Sequence, residues 1–326
     1  MNIAIIGAGL AGLVVASQLN QIANVTLFEK SRGVGGRLAT RRHDSFVFDH
    51  GAQYFTARSH EFNTWLKPLI QADIVQSWQA RYASFEGIHK MGSSWPSNEP
   101  RWVGANNMNS IAKHIASDLN IMTNTRIIKL ERTKLWILTD ETGQEYDNFD
   151  WVILNSPSPQ ALELLPNDAI FLNTLRQIDM TPCFALMLGF HEPLTLSFDC
   201  AHITQSDLSW IAFNHTKPNR PDLTSLVVHS SVDYALKHWE QDKEVTTQDL
   251  IHKAQELLGF NIDNIMCTML HGWKFANTID RKQDVLLVDP RLKIAACGDY
   301  CMGGRVEGAF LSAMKTANYI KKLIAT

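Results

Sequence analysis

A glycine turn close to the start of the chain constrains its fold more than any other feature. Gly7-Ala8-Gly9-Leu10-Ala11-Gly12 lies between an apolar run at residues 2–6 and a small-residue stretch at residues 10–20. The run reads as a buried strand and the stretch as a helix. A second apolar run at residues 25–29 ends in Glu29. Strand, turn, helix and strand fit into about 28 residues, the compass of a βαβ unit. Gly7 permits the tight turn, Gly9 lets the backbone approach a pyrophosphate, and Gly12 lets the helix pack against the sheet. Leu10 and Ala11 open the helix, whose free N–H groups and partial positive charge face the phosphates. Glu29 can accept both hydroxyls of an adenosine ribose, which favours FAD or NAD over NADP.

Two further clusters favour FAD. The first is Lys30-Ser31-Arg32-Gly33-Val34-Gly35-Gly36-Arg37-Leu38, followed by Thr40-Arg41-Arg42. Its glycines suit a second backbone approach to the same pyrophosphate, with Arg37 as a bidentate partner. Arg41 and Arg42 read as a solvated face. The second is Cys297-Gly298-Asp299-Tyr300, then Gly303-Gly304-Arg305-Val306-Glu307-Gly308-Ala309. Asp299, at a strand end, is placed for a ribityl hydroxyl. The helix starting near Arg305 would aim its N-terminus at the flavin ring and stabilise negative charge on the reduced form. First and last segments then face one cofactor, with an insertion between them.

The chain's 326 residues suggest two domains. We expect an FAD-binding domain from residues 1–60, 101–158 and 271–326, and a substrate domain from residues 61–100 and 159–270. Helices are expected at residues 61–71, 109–119, 235–240 and 247–258. A short strand is expected at 46–49, a hairpin at 124–130 and 135–139, and buried strands at 151–154 and 293–296. Residues 183–190, 210–213 and 225–229 read as an antiparallel sheet. Residues 76–101 read as irregular and rich in aromatics, and Pro157 and Pro159 as a crossing between domains. The net charge of −3 and the lack of a basic run argue against nucleic acid. Apolar stretches fall short of the ~20 residues of a membrane span. Five widely spaced cysteines read as reduced thiols of a cytosolic protein, without zinc spacing. Residues 1–19 lack a basic flank, the first Lys or Arg being Lys30, so they are not read as a targeting segment. His43, His50 and His60 read as surface or turn residues rather than ligands.

Together the terminal motifs resemble those of the flavin-containing amine oxidase superfamily. Phe48-Asp49-His50-Gly51-Ala52-Gln53-Tyr54-Phe55-Thr56-Ala57-Arg58 narrows the resemblance to the renalase family and its bacterial relatives. Leu226-Val227-Val228-His229-Ser230, His271-Gly272-Trp273-Lys274 and the Gly-Arg-Val-Glu-Gly-Ala-Phe-Leu-Ser run from Gly304 are similar to further segments of that family. The resemblance runs from end to end and is most specific in the first 60 and last 30 residues. It implies an α/β fold of the p-hydroxybenzoate hydroxylase and amine oxidase type: a Rossmann-type FAD-binding domain with a substrate domain of β-sheet plus helices.

It also implies non-covalent FAD. The cofactor would lie against Gly7, Gly9, Leu10, Ala11, Gly12, Glu29, Lys30, Arg32, Gly36, Arg37, Leu38, Gly51, Ala52, Gln53, Tyr54, Ile127, Asp299, Arg305, Val306 and Ala309. Tyr54, His229, Trp273 and Asn214 would line the substrate face. The implied reaction is oxidation of 2- and 6-dihydro isomers of NAD(P)H to NAD(P)+, with dioxygen reduced to hydrogen peroxide. Hydride transfer needs a donor carbon held near the acceptor in a dry pocket, and no nucleophile or metal. The substrate is a small molecule. An amine oxidase or desaturase, and a non-catalytic FAD-binding module, stand as alternatives. Aromatic hydroxylation fits less well, because Gly-Asp-Tyr-Cys-Met stands where that group usually has Gly-Asp-Ala-Ala-His. Thr216-Lys217-Pro218-Asn219-Arg220 stands where bacterial relatives often carry Ser-Lys-Pro-Gly-Arg. Lys274 is a candidate for the flavin-facing lysine of amine oxidases, and Cys267 lies near their covalent cysteine, although no linkage is expected.

Overall fold

A computed structural model describes residues 1–279 and 284–325. Its first sheet has six strands, in the spatial order Leu287–Asp289, Ile294–Ala296, Trp151–Leu154, Asn2–Ile6, Asn24–Phe28 and Asn120–Met122. All neighbours pair parallel except Leu287–Asp289, which is antiparallel to Ile294–Ala296. Parallel strands are covered on both faces, which explains their near-continuous apolar runs. On one face helix Leu10–Leu19 packs against Ser110–Ala116 and the closing helix Arg305–Ala325. On the other lies a three-stranded sheet, Ile127–Arg132, Trp136–Asp140 and Glu145–Phe149, with the short helices Ser158–Leu164 and Leu172–Arg176. Helix His60–Gln71 shares the apolar cluster of the closing helix through Phe62 and Leu66.

The second sheet has seven strands: Ile265–Thr278, Met180–Phe190, Ser225–Ser230, Leu208–Phe213, Cys200–Thr204, Tyr82–Glu86 and His89–Gly92. Helices Val232–His238 and Lys243–Leu258 contribute to the apolar cluster on one of its faces. Sequence periodicity misses four of these strands. Tyr82–Glu86 and His89–Gly92 form a hairpin turning at Gly87, rather than irregular structure. Cys200–Thr204 pairs parallel with Tyr82–Glu86, a long-range pairing with no local signature. Ile265–Thr278 carries polar residues and Gly272 because much of it faces a cavity. Among the described residues no helix is long and apolar enough to cross a membrane.

A buried ion cluster joins the two sheets' loops. The side chains of Asp49, Lys217 and Arg220 are each 0% exposed. Arg220 Nη2 donates to Asp49 Oδ2 at 2.6 Å, and Lys217 Nζ approaches the same oxygen at 3.5 Å. Asp49 Oδ1 accepts from Met108 N at 2.8 Å and from Thr40 Oγ1 at 2.7 Å. Arg220 Nη1 donates to Gly104 O, and Lys217 Nζ donates to Asn214 Oδ1 at 3.0 Å and Gln53 Oε1 at 3.3 Å. Burial alone would raise the Asp49 carboxyl, but Lys217 and Arg220 outweigh it and hold it at about 2. Removing the carboxylate strands two cations in a dry interior. Asp49→Asn should therefore cost about 3–5 kcal/mol in urea unfolding. Lys217→Met, which leaves Asp49 and Arg220 paired, should cost less, and the reverse order would contradict this account.

Candidate active site

The glycine turn is built by close approach. Gly7 has φ +105°, and a Cβ on Gly12 would lie 2.2 Å from the Gly7 carbonyl oxygen. Gly9 precedes the helix in an extended conformation without a side-chain cap, so the first N–H groups stay available. Glu29 is held from both sides: Ala8 N donates to Oε2 and Ser31 N to Oε1, each at 2.8 Å. Gly35 N donates to Ala8 O, which brings the second glycine loop against the first. Asn155, following the strand Trp151–Leu154, lies against the first turn at Gly7, Gly9 and Gly12, and its Nδ2 donates to Cys297 O at 2.8 Å. Asn155 Oδ1 and Ser156 Oγ are buried without a partner. Neither residue stands out in the sequence, since nothing local marks a strand end as lying under a glycine turn.

From this turn a continuous cavity of about 1630 Å³ runs to the second sheet. That exceeds the several hundred Å³ of a site for one drug-sized molecule, and suits a dinucleotide with a second ligand. Every residue expected against the cofactor lines it except Gly12, and Tyr54, His229 and Trp273 line it too. Gly12 faces inward, onto Gly7 O and Asn155. Asn214 is also off the cavity: it is fully buried, donates from Nδ2 to Val47 O, and accepts from Asp49 N and Lys217 Nζ. Gln53 turns its amide away as well, donating to Asp49 O and Gly51 O and accepting from Lys217. Arg37 is bidentate, but onto Asp299, with Nη1–Oδ2 at 3.0 Å, because the Gly36–Leu38 turn lies beside the end of strand Ile294–Ala296. Gly303, Gly304 and Arg305 all have positive φ at the mouth of the closing helix, Arg305 at +73°. Such a backbone is strained for an arginine, and strain of this kind gathers at functional sites.

A row of the second sheet forms one cavity wall. His202 pairs with Trp210, Trp210 with His229, His229 with Ala185, and Ala185 with His271. Directly paired residues share a face, so one period-2 row delivers three imidazoles and an indole to the cavity. Cys183 and Trp273 form the next row. His50, expected as a turn or surface residue, is buried and lines the cavity, because Trp273 Nε1 donates to its carbonyl at 2.9 Å and stacks over its ring at 5.3 Å. His50 Nδ1 and His229 Nε2 lack partners. Burial, helped by His271 and Arg41, pushes His50 down to about 3. Burial and Lys217 push His229 down to about 4, and burial with Arg41 and Lys243 does the same to His271. His50, His229 and His271 are therefore uncharged at neutral pH. Elsewhere the lining is basic: eleven of the chain's 30 Lys and Arg against four of its 33 Asp and Glu, among the described residues. Arg41 and Arg42, expected as a solvated face, belong to that lining.

Family models match residues 5–69, an NAD(P)-binding Rossmann-like domain, and residues 85–321, a flavin containing amine oxidoreductase. The chain belongs to the flavin-containing amine oxidoreductase family. As a family member it is an FAD-dependent oxidoreductase, and the glycine cradle, the oriented Glu29 and the open helix N-terminus fit that cofactor. The chain is 22% identical to mouse renalase over 352 residues, covering 99% of both. It is 48% identical to a Staphylococcus aureus 4,4'-diapophytoene desaturase over 52 residues, 16% of this chain and 10% of that protein. Its fold is similar to that of an Exiguobacterium protein assigned as a protoporphyrinogen oxidase, with TM-score 0.77, 15% identity and 98% of each chain covered. It is also similar to putrescine oxidase bound to putrescine, with TM-score 0.72, 12% identity and 99% of each chain covered.

The depressed histidines make stability pH-dependent with a definite sign. Each folded pKa lies below the ordinary 6.5, so the unfolded chain takes up protons first as pH falls. The contribution of these three histidines is complete above pH 6.5 and is lost as pH falls toward 4, with their uptake on unfolding approaching about three protons near pH 5. Urea midpoints between pH 7 and 4.5 test this, and a flat profile would contradict it. His229→Gln should lower the slope by about one proton.

Proposed function

We propose that this protein oxidises the 2- and 6-dihydro isomers of NAD(P)H to NAD(P)+, delivering the electrons to dioxygen as hydrogen peroxide. Donor, dioxygen and one proton balance NAD(P)+ and peroxide. The observation that carries this reading is the charge of the cavity: a strongly basic lining in a chain of net charge −3. Such a field draws in the phosphates of a nucleotide and opposes an ammonium ion. No carboxylate stands in the sheet row among the described residues to offset it. Full-length similarity to mouse renalase supports the same reading.

Bound FAD supplies a two-electron hydride acceptor that dioxygen regenerates. The chain's own contribution is positional. Trp273 and Trp210 offer flat walls for a nicotinamide ring, with the imidazoles of His50, His229 and His271 beside them. Neutral imidazoles neither trap the donor as an ion pair nor repel the cationic ring formed when the hydride leaves. FAD is held without a covalent bond: Cys267 packs with Phe46, Phe48 and Met187 off the cavity, and burial pushes the Cys183 thiol up to about 12.

Anaerobic mixing of the yellow holoenzyme with 6-dihydro-NAD should bleach the flavin absorbance within seconds. A panel of primary amines and polyamines should leave it unchanged. The rate with the dinucleotide should fall as salt rises from about 0.01 to 0.5 M, as for an attractive field. Bleaching by amines alone would replace this reading with amine oxidation, and reduction by no donor would leave a binding module.

A further inference from the structure

Beside Tyr54 the cavity wall contains a buried arginine whose charge no carboxylate meets. Arg101 is 5% exposed and still lines the cavity. Its guanidinium lies 4.5 Å from the centroid of Trp95 and 5.8 Å from that of Tyr54. Nη1 donates to Glu99 O, and Nη2 to Ser97 O and Oγ, both at 3.1 Å; Nε has no partner. Glu99 does not pair with it directly, because Arg58 occupies both carboxylate oxygens, at 2.7 and 2.9 Å, and Glu99 and Arg101 interact only at longer range. Arg37 in the same lining is paired with Asp299. Arg101 has no carboxylate within 4.0 Å among the described residues. On the same aromatic cluster Trp210 Nε1 is a second buried donor without an acceptor, its ring 5.6 Å from that of Tyr54 and 6.3 Å from that of Trp95.

A guanidinium taken out of water without a counter-charge is costly, and two orphan donors on one aromatic patch add to that cost. An anion meeting them would offset it. The glycine turns and the helix N-terminus already provide for the cofactor's pyrophosphate, so this anion belongs to the second ligand. We propose that Arg101, with Trp210 and Tyr54, forms a phosphate subsite for the oxidised nucleotide. The subsite selects phosphorylated donors over the bare riboside. This inference rests on the reading of the second ligand as a dihydronicotinamide nucleotide, and the test separates the two.

The experiment uses holoenzyme carrying Arg101→Gln or Arg101→Lys, with bound FAD measured first. Steady-state kinetics compare 6-dihydronicotinamide mononucleotide with its riboside, which lacks the phosphate. In Arg101→Gln the ratio of kcat/KM for mononucleotide over riboside should fall about 30-fold, through KM, as expected for a lost buried charge contact. Arg101→Lys should recover part of it. Equal losses on both donors, or none, would overturn the subsite. So would loss of FAD with its affinity restored by lysine, which would assign Arg101 to the cofactor. A binding titration keeps the question open to test if no dihydronicotinamide reduces the flavin. Inorganic pyrophosphate should quench the tryptophan fluorescence of wild-type holoenzyme at least tenfold more tightly than that of Arg101→Gln. Equal affinities would count against the subsite whatever the reaction. If Arg101→Gln does not fold, Trp210→Phe removes the second donor alone. It should weaken pyrophosphate about fivefold, a shift near the net worth of one hydrogen bond, and unchanged affinity would again overturn the proposal.

Discussion

The cavity's shape depends on one carboxylate. Asp49 is the point at which the end of strand Phe46–Asp49, the backbone near Met108, and two cations from the loop after strand Leu208–Phe213 converge out of solvent. A buried pair adds little net stability relative to apolar packing, but it tolerates only one arrangement of its members. Here that arrangement sets the height of residues 50–54 against the sheet row. Trp273 reads the same loop from the other side through the His50 carbonyl. The site's precision is therefore electrostatic beneath the loop and aromatic above it.

Absent side chains matter as much as the charged ones. The first helix reaches the sheet because Gly12 has no Cβ, and the chain passes under Arg37 because a Cβ on Gly51 would lie 2.1 Å from the Arg37 carbonyl oxygen. Each glycine exchanges chain entropy for a backbone approach that no other residue permits. The first turn then presents bare N–H groups to the cavity, while the opposite sheet presents side chains to it.

The strand–glycine–helix unit and Glu29 are legible in the sequence because their chemistry is local, each residue acting within a few positions of its neighbours. The hairpin near residue 130 and the closing helix are legible for the same reason, through period and turn residues. The second sheet's outer strands are not. Ile265–Thr278 alternates imperfectly, since one stretch of it faces the cavity and is polar. The pairing of Cys200–Thr204 with Tyr82–Glu86 has no local signature. Asn214 illustrates the limit at the site: a buried asparagine beside a lysine reads equally well as ligand or strut, and only the positions of Val47 and Asp49 decide for the strut. The fate of Lys217 and Arg220 is likewise set by a carboxylate more than 160 residues earlier.

The central sheet draws neighbouring strands from the beginning, the middle and the end of the chain: Asn2–Ile6 beside Trp151–Leu154 beside Ile294–Ala296. The closing helix Arg305–Ala325 completes the packing on the glycine helix from nearly 300 positions away in the sequence. Joining elements so far apart carries a loop-closure cost before any contact repays it, and slows folding. Docking of the closing helix and closure of the glycine turn are therefore coupled, and anything that stabilises one favours the other.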